Sequence, residues 1–174
     1  MILNTDLILY DPLWERADNE LCSKEGISLF NRLVDVFILA CSIGIKDDIS
    51  ITAIDNPLAS PKTIGRNTYM SPSNINLSES LYFMLQNALI NSKTITFDSD
   101  ERLKLAFDPD YTVSKLSAAG LLIGFANYGI KQIFEHIDST SPLVAVDELY
   151  KYFSSLEEAK YEDILKDITL ENIK

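Results

Sequence analysis

The sequence has few of the residues that build metal clusters and disulfide frameworks. Its 174 residues contain one histidine and two cysteines, Cys22 and Cys41. Two cysteines in a chain of this length do not suggest a disulfide framework, and a zinc cluster would have to be completed by carboxylates. Cys41 lies in an apolar run and is expected to be a core thiol, which fits reducing, cytoplasmic conditions. We therefore expect no metal ion and no cofactor.

Membrane-directing segments are also missing from the pattern. Met1 is followed by ILNTD, which lacks the basic start of a secretory signal peptide. No window reaches the ~18 consecutive apolar residues of a membrane span, because Lys115, Asn127 and Lys131 interrupt the longest apolar segment. We expect no membrane partner and a cytoplasmic location.

Basic charge is scarce, since 15 Lys and Arg residues stand against 26 acids and give a net charge of −11. A protein that binds nucleic acid by itself usually carries a basic footprint, and none is visible. The composition therefore does not favour binding of nucleic acid by the chain alone. The two ends of the chain are the most acidic parts, and they form either solvated surface or a face for a basic partner.

Catalytic motifs are absent as well. The sequence contains no phosphate-binding loop, no GxSxG and no GxGxxG. Neither cysteine lies in a turn typical of a nucleophile. The single histidine, His136, lies near the end of a predicted helix, where interaction with the helix dipole gives it a structural role. We predict that the protein is not an enzyme and assign no catalytic, metal or cofactor-binding residue.

The residues that are present predict a compact, mainly helical protein (α+β). The apolar fraction of 47% and charged fraction of 24% are those of an ordinary globular protein, and the length predicts one domain over residues 1–174. Within it we distinguish an N-terminal arm (1–26), a core (27–137) and a C-terminal helical tail (141–174). The fold is expected to surround one long central helix and to include a small β-hairpin.

The central helix is predicted over residues 112–137, with Thr112 or Asp110 as its cap. It is apolar nearly all the way round between Ala118 and Ala126, so other elements must surround it. Asn127 lies inside this apolar stretch and needs hydrogen-bond partners if it is buried. We predict a structural role in which Asn127 ties the helix to a neighbouring loop or helix. Small residues would let other backbones approach the helix: Ala118, Ala119, Gly120, Gly124, Ala126 and Gly129.

Further helices are predicted from helical spacing of apolar residues. One runs from Ser28, its expected cap, to Ile43, with Gly44 at its C-terminus. Another spans residues 76–91 and begins with a capping-box pattern. A short helix capped by Asp100 ends at Leu105. The tail is helical after Pro142.

Two short strands are predicted over residues 49–54, which alternate in polarity, and 63–70, and these are expected to pair. Residues 2–9 favour a further short strand. The only tryptophan, Trp14, follows it and anchors the acidic arm either to its own core or to a partner.

Two sets of residues are candidates for contacts with other molecules. Residues 56–78 contain no acid, so Lys62, Arg66 and Tyr69 are candidates for contact with a partner or with a nucleic acid, against the alternative of an ordinary surface hairpin. The apolar stripe of the tail packs on its own domain or lies in a partner's groove. The candidate partner-facing residues of the tail are Leu149, Phe153, Leu156, Ile164 and Leu165.

Two segments carry a resemblance to a known family. Residues 34–44, VDVFILACSIG, are similar to a helix end of the form DVFVFAAALGY in small bacterial proteins associated with DNA-phosphorothioation (Dnd) defence systems and in relatives from other antiphage operons. Residues 123–130, IGFANYGI, are similar to the same family's later motif, E-E-Y-A-N-G-G-L. Ala126, Asn127 and Gly129 match, whereas Ile123 and Gly124 replace the two acids.

The resemblance covers residues 27–137 and implies no established activity. It implies a small accessory subunit that is encoded beside larger proteins and contacts DNA only through their complex. Those proteins would be an SMC-like ATPase, an effector nuclease or both. One setting consistent with it is the small middle subunit of a three-component system of the Lamassu type. The acids lost at Ile123 and Gly124 mean that no role of that acidic pair is carried over. An alternative function is a nucleic-acid-sensing module built on the loop of Lys62, Arg66 and Tyr69.

Overall fold

The expected fold class is confirmed: the chain is mainly helical and has a small two-stranded antiparallel sheet. The computed structural model describes residues 3–22, 29–108, 111, 113, 117–137 and 144–155. In chain order the elements are β1 (Leu7–Leu9), α1 (Leu13–Glu20), α2 (Leu33–Asp47), β2 (Lys62–Ile64), α3 (Arg66–Met70), a 3-10 turn (Pro72–Asn74), α4 (Ile75–Asn91), α5 (Ser99–Phe107), α6 (Ala118–His136) and α7 (residues 144–155). Of the helices in these ranges, none is long and apolar enough to cross a membrane.

The chain divides into two compact units, Met1–Ile133 and Phe134–Lys174. The described part of the N-terminal arm belongs to the first unit, where Leu3, Leu7, Leu9 and Trp14 are fully buried. Most of the central helix also belongs to this unit.

Helix α6 is surrounded by other elements, as its apolar sequence predicts. The hydroxyl of Ser117 accepts a hydrogen bond from the N–H of Gly120 (2.9 Å) and satisfies one of the unpaired donors of the first turn. The proposed caps Thr112 and Asp110 lie outside the described residues. The buried residues of α6 within the first unit occur on all sides of the helix: Ala118, Leu121, Leu122, Gly124, Phe125, Ala126, Asn127, Gly129, Ile130 and Ile133.

Helices α2 and α6 touch through their backbones at two glycines. A Cβ atom on Gly129 would lie 1.8 Å from the carbonyl oxygen of Ala40, and one on Gly44 would lie 2.1 Å from that of Phe125. Real Cβ atoms do not approach so closely, so only glycine fits at either position. The two segments that carry the family resemblance therefore meet at a single helix crossing.

The prediction that Gly44 ends α2 is wrong. Gly44 lies inside the helix, which continues to Asp47, and Asp48 takes the left-handed conformation at the end (φ 54°). Aspartate tolerates this conformation better than most residues. Gly44 is needed for the close approach to α6, so its small size and not its backbone freedom explains its presence. At the other end the helix begins at Leu33, and the expected cap Ser28 lies outside the described residues.

Asn127 joins three parts of the first unit. Its amide oxygen accepts a hydrogen bond from the indole Nε1 of Trp14 (2.9 Å), and its amide nitrogen donates to the carbonyl oxygen of Ile51 (3.1 Å). Trp14 is completely buried, with its ring 5.8 Å from that of Phe37. Trp14 thus anchors the arm to the protein's own core, and the amide of Asn127 links α1, α6 and the segment after α2.

The prediction of a strand over residues 49–54 is wrong. This segment lies against α6, where the N–H of Ile51 donates to the carbonyl oxygen of Gly124 (2.8 Å) and the carbonyl of Ile51 accepts from Asn127. Gly124 permits the approach, since a Cβ there would lie 2.3 Å from the hydroxyl of Ser50. The segment bonds to a helix and not to a strand.

The sheet pairs β1 with β2, so that Leu7 is opposite Ile64 and Leu9 is opposite Lys62. A strand within residues 2–9 is therefore confirmed. The predicted second strand is confirmed only at Thr63 and Ile64, because residues 66–70 form helix α3.

Two predicted helix caps are also wrong. Helix α4 begins at Ile75, and Asn76 is already inside it; the amide of the residue before the helix, Asn74, donates to the carbonyl oxygen of Thr68 and makes no cap. Helix α5 is capped by Asp98 in place of Asp100, through a 2.9 Å hydrogen bond from the N–H of Glu101.

Candidate functional site

A groove of about 1060 Å³ runs between α2 and α4. It lies wholly within the first unit. One face of α4 faces the core through Leu81, Leu85 and Leu89, which are buried. The adjacent face of α4 lines this surface, which we call the α2–α4 groove. Its lining residues are Ser42, Ile45 and Lys46 from α2, Asn76, Glu79, Ser80, Phe83, Met84, Asn87 and Asn91 from α4, and Asp47, Asp48, Ser92 and Lys93 at one end.

Phe83 is the main apolar feature of the groove. Its side chain is 75% exposed, more than any other large apolar residue that the structure describes. Ile45 and Met84 lie half-buried beside it in the lining. An exposed aromatic residue within a concave surface is the usual form of a binding hot spot, because a partner can desolvate it completely.

Amide and hydroxyl side chains occupy the remaining turns of α4 along the groove. Asn76, Ser80, Asn87 and Asn91 follow one another at helical spacing. Asn91 donates an amide N–H to the amide oxygen of Asn87 (2.8 Å). Asparagine and serine are weak helix formers, so helix stability does not explain why they recur on this face of α4.

Asp48 fixes one end of the groove. Its carboxylate accepts a hydrogen bond from the backbone N–H of Lys93 (2.8 Å), which ties the end of α2 to the residues after α4. The neighbouring Ser92 hydroxyl has the largest influence on this carboxyl and, with the N–H and charge of Lys93, holds the pKa of Asp48 below its ordinary value of 3.8. This end of the groove therefore stays ionised and in place at neutral pH.

We expect Asp48→Asn to lower the stability of the protein at neutral pH, since asparagine keeps the left-handed backbone but loses the charge. A carboxyl whose pKa is lowered by folding stabilises the protein above its unfolded pKa, and the stabilisation is lost as pH falls through the lower folded value. The difference in unfolding free energy between wild type and variant should therefore be constant above pH ~5 and shrink below the ordinary value near 3.8. Urea denaturation from pH 7 to pH 3 measures it. A difference that grows on acidification would contradict this assignment.

The three loop candidates do not form a shared exposed surface. Tyr69 is 1% exposed, and its hydroxyl donates to the carbonyl oxygen of Thr5. Burial is the main cause that raises its pKa. Lys62 forms an ion pair with Asp18 (2.8 Å), and Arg66 is exposed at the start of α3. The side chains of Tyr69 and Lys62 bond to residues near the sheet, Thr5 and Asp18. Nothing in this arrangement therefore favours the alternative function in nucleic-acid sensing.

The second unit contains helix α7, which carries part of the predicted tail stripe. Leu149 is half-buried and Phe153 is 37% exposed. Val146 and Tyr150, one turn apart, are 53% and 72% exposed and continue the apolar face. The other tail candidates, Leu156, Ile164 and Leu165, lie outside the described residues.

The described residues show no arrangement suited to metal or thiol chemistry. Within these ranges no three His, Cys, Asp or Glu side chains come together to hold a metal ion. Burial raises the pKa of the Cys22 thiol to about 11 and that of Cys41 further still, so both stay protonated near neutral pH. The ring of His136 lies 4.5 Å from that of Tyr152 within the second unit.

Comparisons with known proteins do not assign the chain to a family. No protein-family model, no curated protein and no solved structure matches the chain. The resemblance of residues 34–44 and 123–130 to the Dnd-associated family stays a prediction.

Phe83 is the site residue that sequence reasoning missed. It lies outside the buried face of α4, which includes Leu81, Leu85 and Leu89. A large apolar residue that falls off the buried face, with asparagines one and two turns later at Asn87 and Asn91, is the signal that could have found it.

Proposed function

We propose that the protein is a non-enzymatic accessory subunit of a bacterial antiphage defence complex, and that it binds a larger ATPase or nuclease subunit. The observation that carries the proposal is the α2–α4 groove with the exposed Phe83 in its lining. The resemblance of residues 34–44 and 123–130 supplies the cellular setting. In this proposal DNA is reached only through the larger subunit, because the chain has a net charge of −11.

Exposure of the Phe83 side chain to water costs free energy that a partner would recover. Burying an aromatic side chain stabilises a fold or a complex by about 1.5–3 kcal/mol. Because Phe83 is mostly exposed, the fold gains little of this free energy. A partner that covers Phe83, Met84 and Ile45 would gain it at the centre of its interface, with polar side chains on both sides. The exposed face of α7, with Val146 and Tyr150, is a second surface that a large partner could cover.

Co-expression with the proteins encoded by the neighbouring reading frames tests the proposal. The larger subunit should co-purify with the wild-type chain, and Phe83→Asp should weaken the complex at least tenfold, because a charge would be buried at the centre of the interface. Binding constants follow from titration of the purified larger subunit.

Phe107→Asp is the matched control, since Phe107 is 61% exposed on α5 but does not line the groove. This variant should bind like the wild type. Equal weakening by both substitutions, or no weakening by either, would argue against the groove as the interface. Metal-dependent cleavage of DNA by the isolated chain would overturn the non-enzymatic assignment.

A further inference from the structure

The asparagine pair of the groove has unused hydrogen-bonding groups. Because Asn91 donates to the amide oxygen of Asn87, the NH₂ group of Asn87 is left to donate and the amide oxygen of Asn91 is left to accept. Both residues are exposed. The groove therefore presents one donor and one acceptor in neighbouring turns of α4.

The arrangement of these groups suits an extended peptide backbone, because the free donor and the free acceptor flank the 2.8 Å hydrogen bond between the two amides. Residues four apart in a helix are about 6 Å apart along its axis. In an extended chain, backbone groups on one edge repeat about every 6.7 Å, and each residue offers both an N–H and a C=O there. A helical partner could not use this pair with its backbone, since its own N–H and C=O groups are already bonded internally. An extended segment can satisfy both amides at once.

The rest of the groove limits the side chains of such a segment. Phe83 and Met84 lie one turn from Asn87 and favour an apolar side chain at that position. Glu79, a further turn away, is exposed and favours a lysine or arginine. The chain's net charge of −11 also favours a positively charged segment. From Glu79 to Asn91 the groove is about 18 Å long, which is the length of five or six extended residues.

We infer that the α2–α4 groove binds an extended segment of the partner protein, five or six residues long, whose backbone pairs with Asn87 and Asn91. An apolar side chain of the segment lies against Phe83, and a lysine or arginine lies against Glu79. This inference rests on the proposed function and adds the chemistry of the partner.

A library of displayed random 12-residue peptides is the probe. Selection on the wild-type protein should enrich peptides with an apolar residue and a lysine or arginine about two positions away, since Phe83 and Glu79 are about 6 Å apart along α4. The best peptide, made synthetically, should lose about tenfold in affinity for Asn87→Ala/Asn91→Ala, because two backbone hydrogen bonds are removed. Alanine is the stronger helix former, so α4 keeps its fold, which thermal unfolding checks.

Asn19→Ala is the control, since Asn19 is exposed on α1 outside the groove, and it should leave the affinity unchanged. Backbone N-methylation of the peptide should weaken binding at one position, because one peptide N–H donates to the amide oxygen of Asn91. Glu79→Gln should remove the preference for the basic residue.

Three results would overturn the inference. One is a peptide that binds equally well to Asn87→Ala/Asn91→Ala. Another is a set of enriched peptides with apolar residues at helical spacing and no response to N-methylation. The third is the absence of any enriched peptide while the larger subunit still co-purifies in a manner that depends on Phe83. In this last case the proposed function stands and only the extended segment is excluded.

Discussion

Replacing Gly129 with alanine should destabilise the first unit by about 3 kcal/mol or prevent it from folding, near the upper end of the costs of overpacking. The added Cβ would lie 1.8 Å from the carbonyl oxygen of Ala40, so α2 and α6 would have to move apart. The obstacle is backbone and not a flexible side chain. The displacement would also separate Gly44 from Phe125 at the other contact of the same crossing.

Gly120→Ala is the matched control in the same helix. A Cβ there meets only the Ser117 side chain, at 3.3 Å, and position 120 is exposed. This variant should be neutral or stabilised by up to about 1 kcal/mol through helix propensity. Urea denaturation of both variants measures the difference. Equal stabilities for the two would mean that the close crossing of α2 and α6 is not present in solution.

Asn127→Leu is expected to lower the free energy of unfolding by roughly 2–6 kcal/mol, because one buried and one part-buried group would each lose a partner at about 1–3 kcal/mol. These groups are the indole N–H of Trp14 and the carbonyl oxygen of Ile51. Leucine has a similar size but neither donor nor acceptor. Stability equal to or above that of the wild type would refute the structural role of Asn127.

A double-mutant cycle separates the hydrogen bond from packing. Trp14→Phe removes the indole donor, so Asn127→Leu made in that background leaves one fewer buried group unpaired. The double variant should therefore be more stable than the sum of the two single effects predicts, by about 1 kcal/mol. Strict additivity would show that Trp14 and Asn127 stabilise the fold independently.

Both predictions concern the part of the fold that holds the groove in place. Helix α2 meets α6 through Ala40 and Gly44, and it lines the groove through Ser42, Ile45 and Lys46. The close crossing with α6 therefore determines which face of α2 points towards α4 and lines the groove. Substitutions at Gly129 and Asn127 should reduce partner binding only as far as they unfold the protein. Substitutions at Phe83 should reduce binding while stability is kept.

The sequence by itself determined the helices with strong apolar periodicity. Helix α4 was predicted over residues 76–91 and is observed over 75–91, and the central helix is surrounded as its all-round apolar surface requires. Asn127 was identifiable because it is a polar residue inside an apolar stretch. These features are local, since a few turns of chain contain the periodicity that defines them.

Only the tertiary structure decided which segments meet. Residues 49–54 alternate like a strand, yet their backbone bonds to α6 at Gly124 and Asn127, and β2 pairs instead with β1 from the N-terminal arm. In the sequence Gly44 resembles a glycine that ends a helix. Its actual role is to leave room for the backbone of Phe125, a residue about 80 positions later, and local sequence does not show this contact. Phe83 could be recognised as part of a groove only once α2 lay beside α4. Hydrogen-bond partners and close contacts between distant segments depend on the whole fold, and local pattern does not contain them.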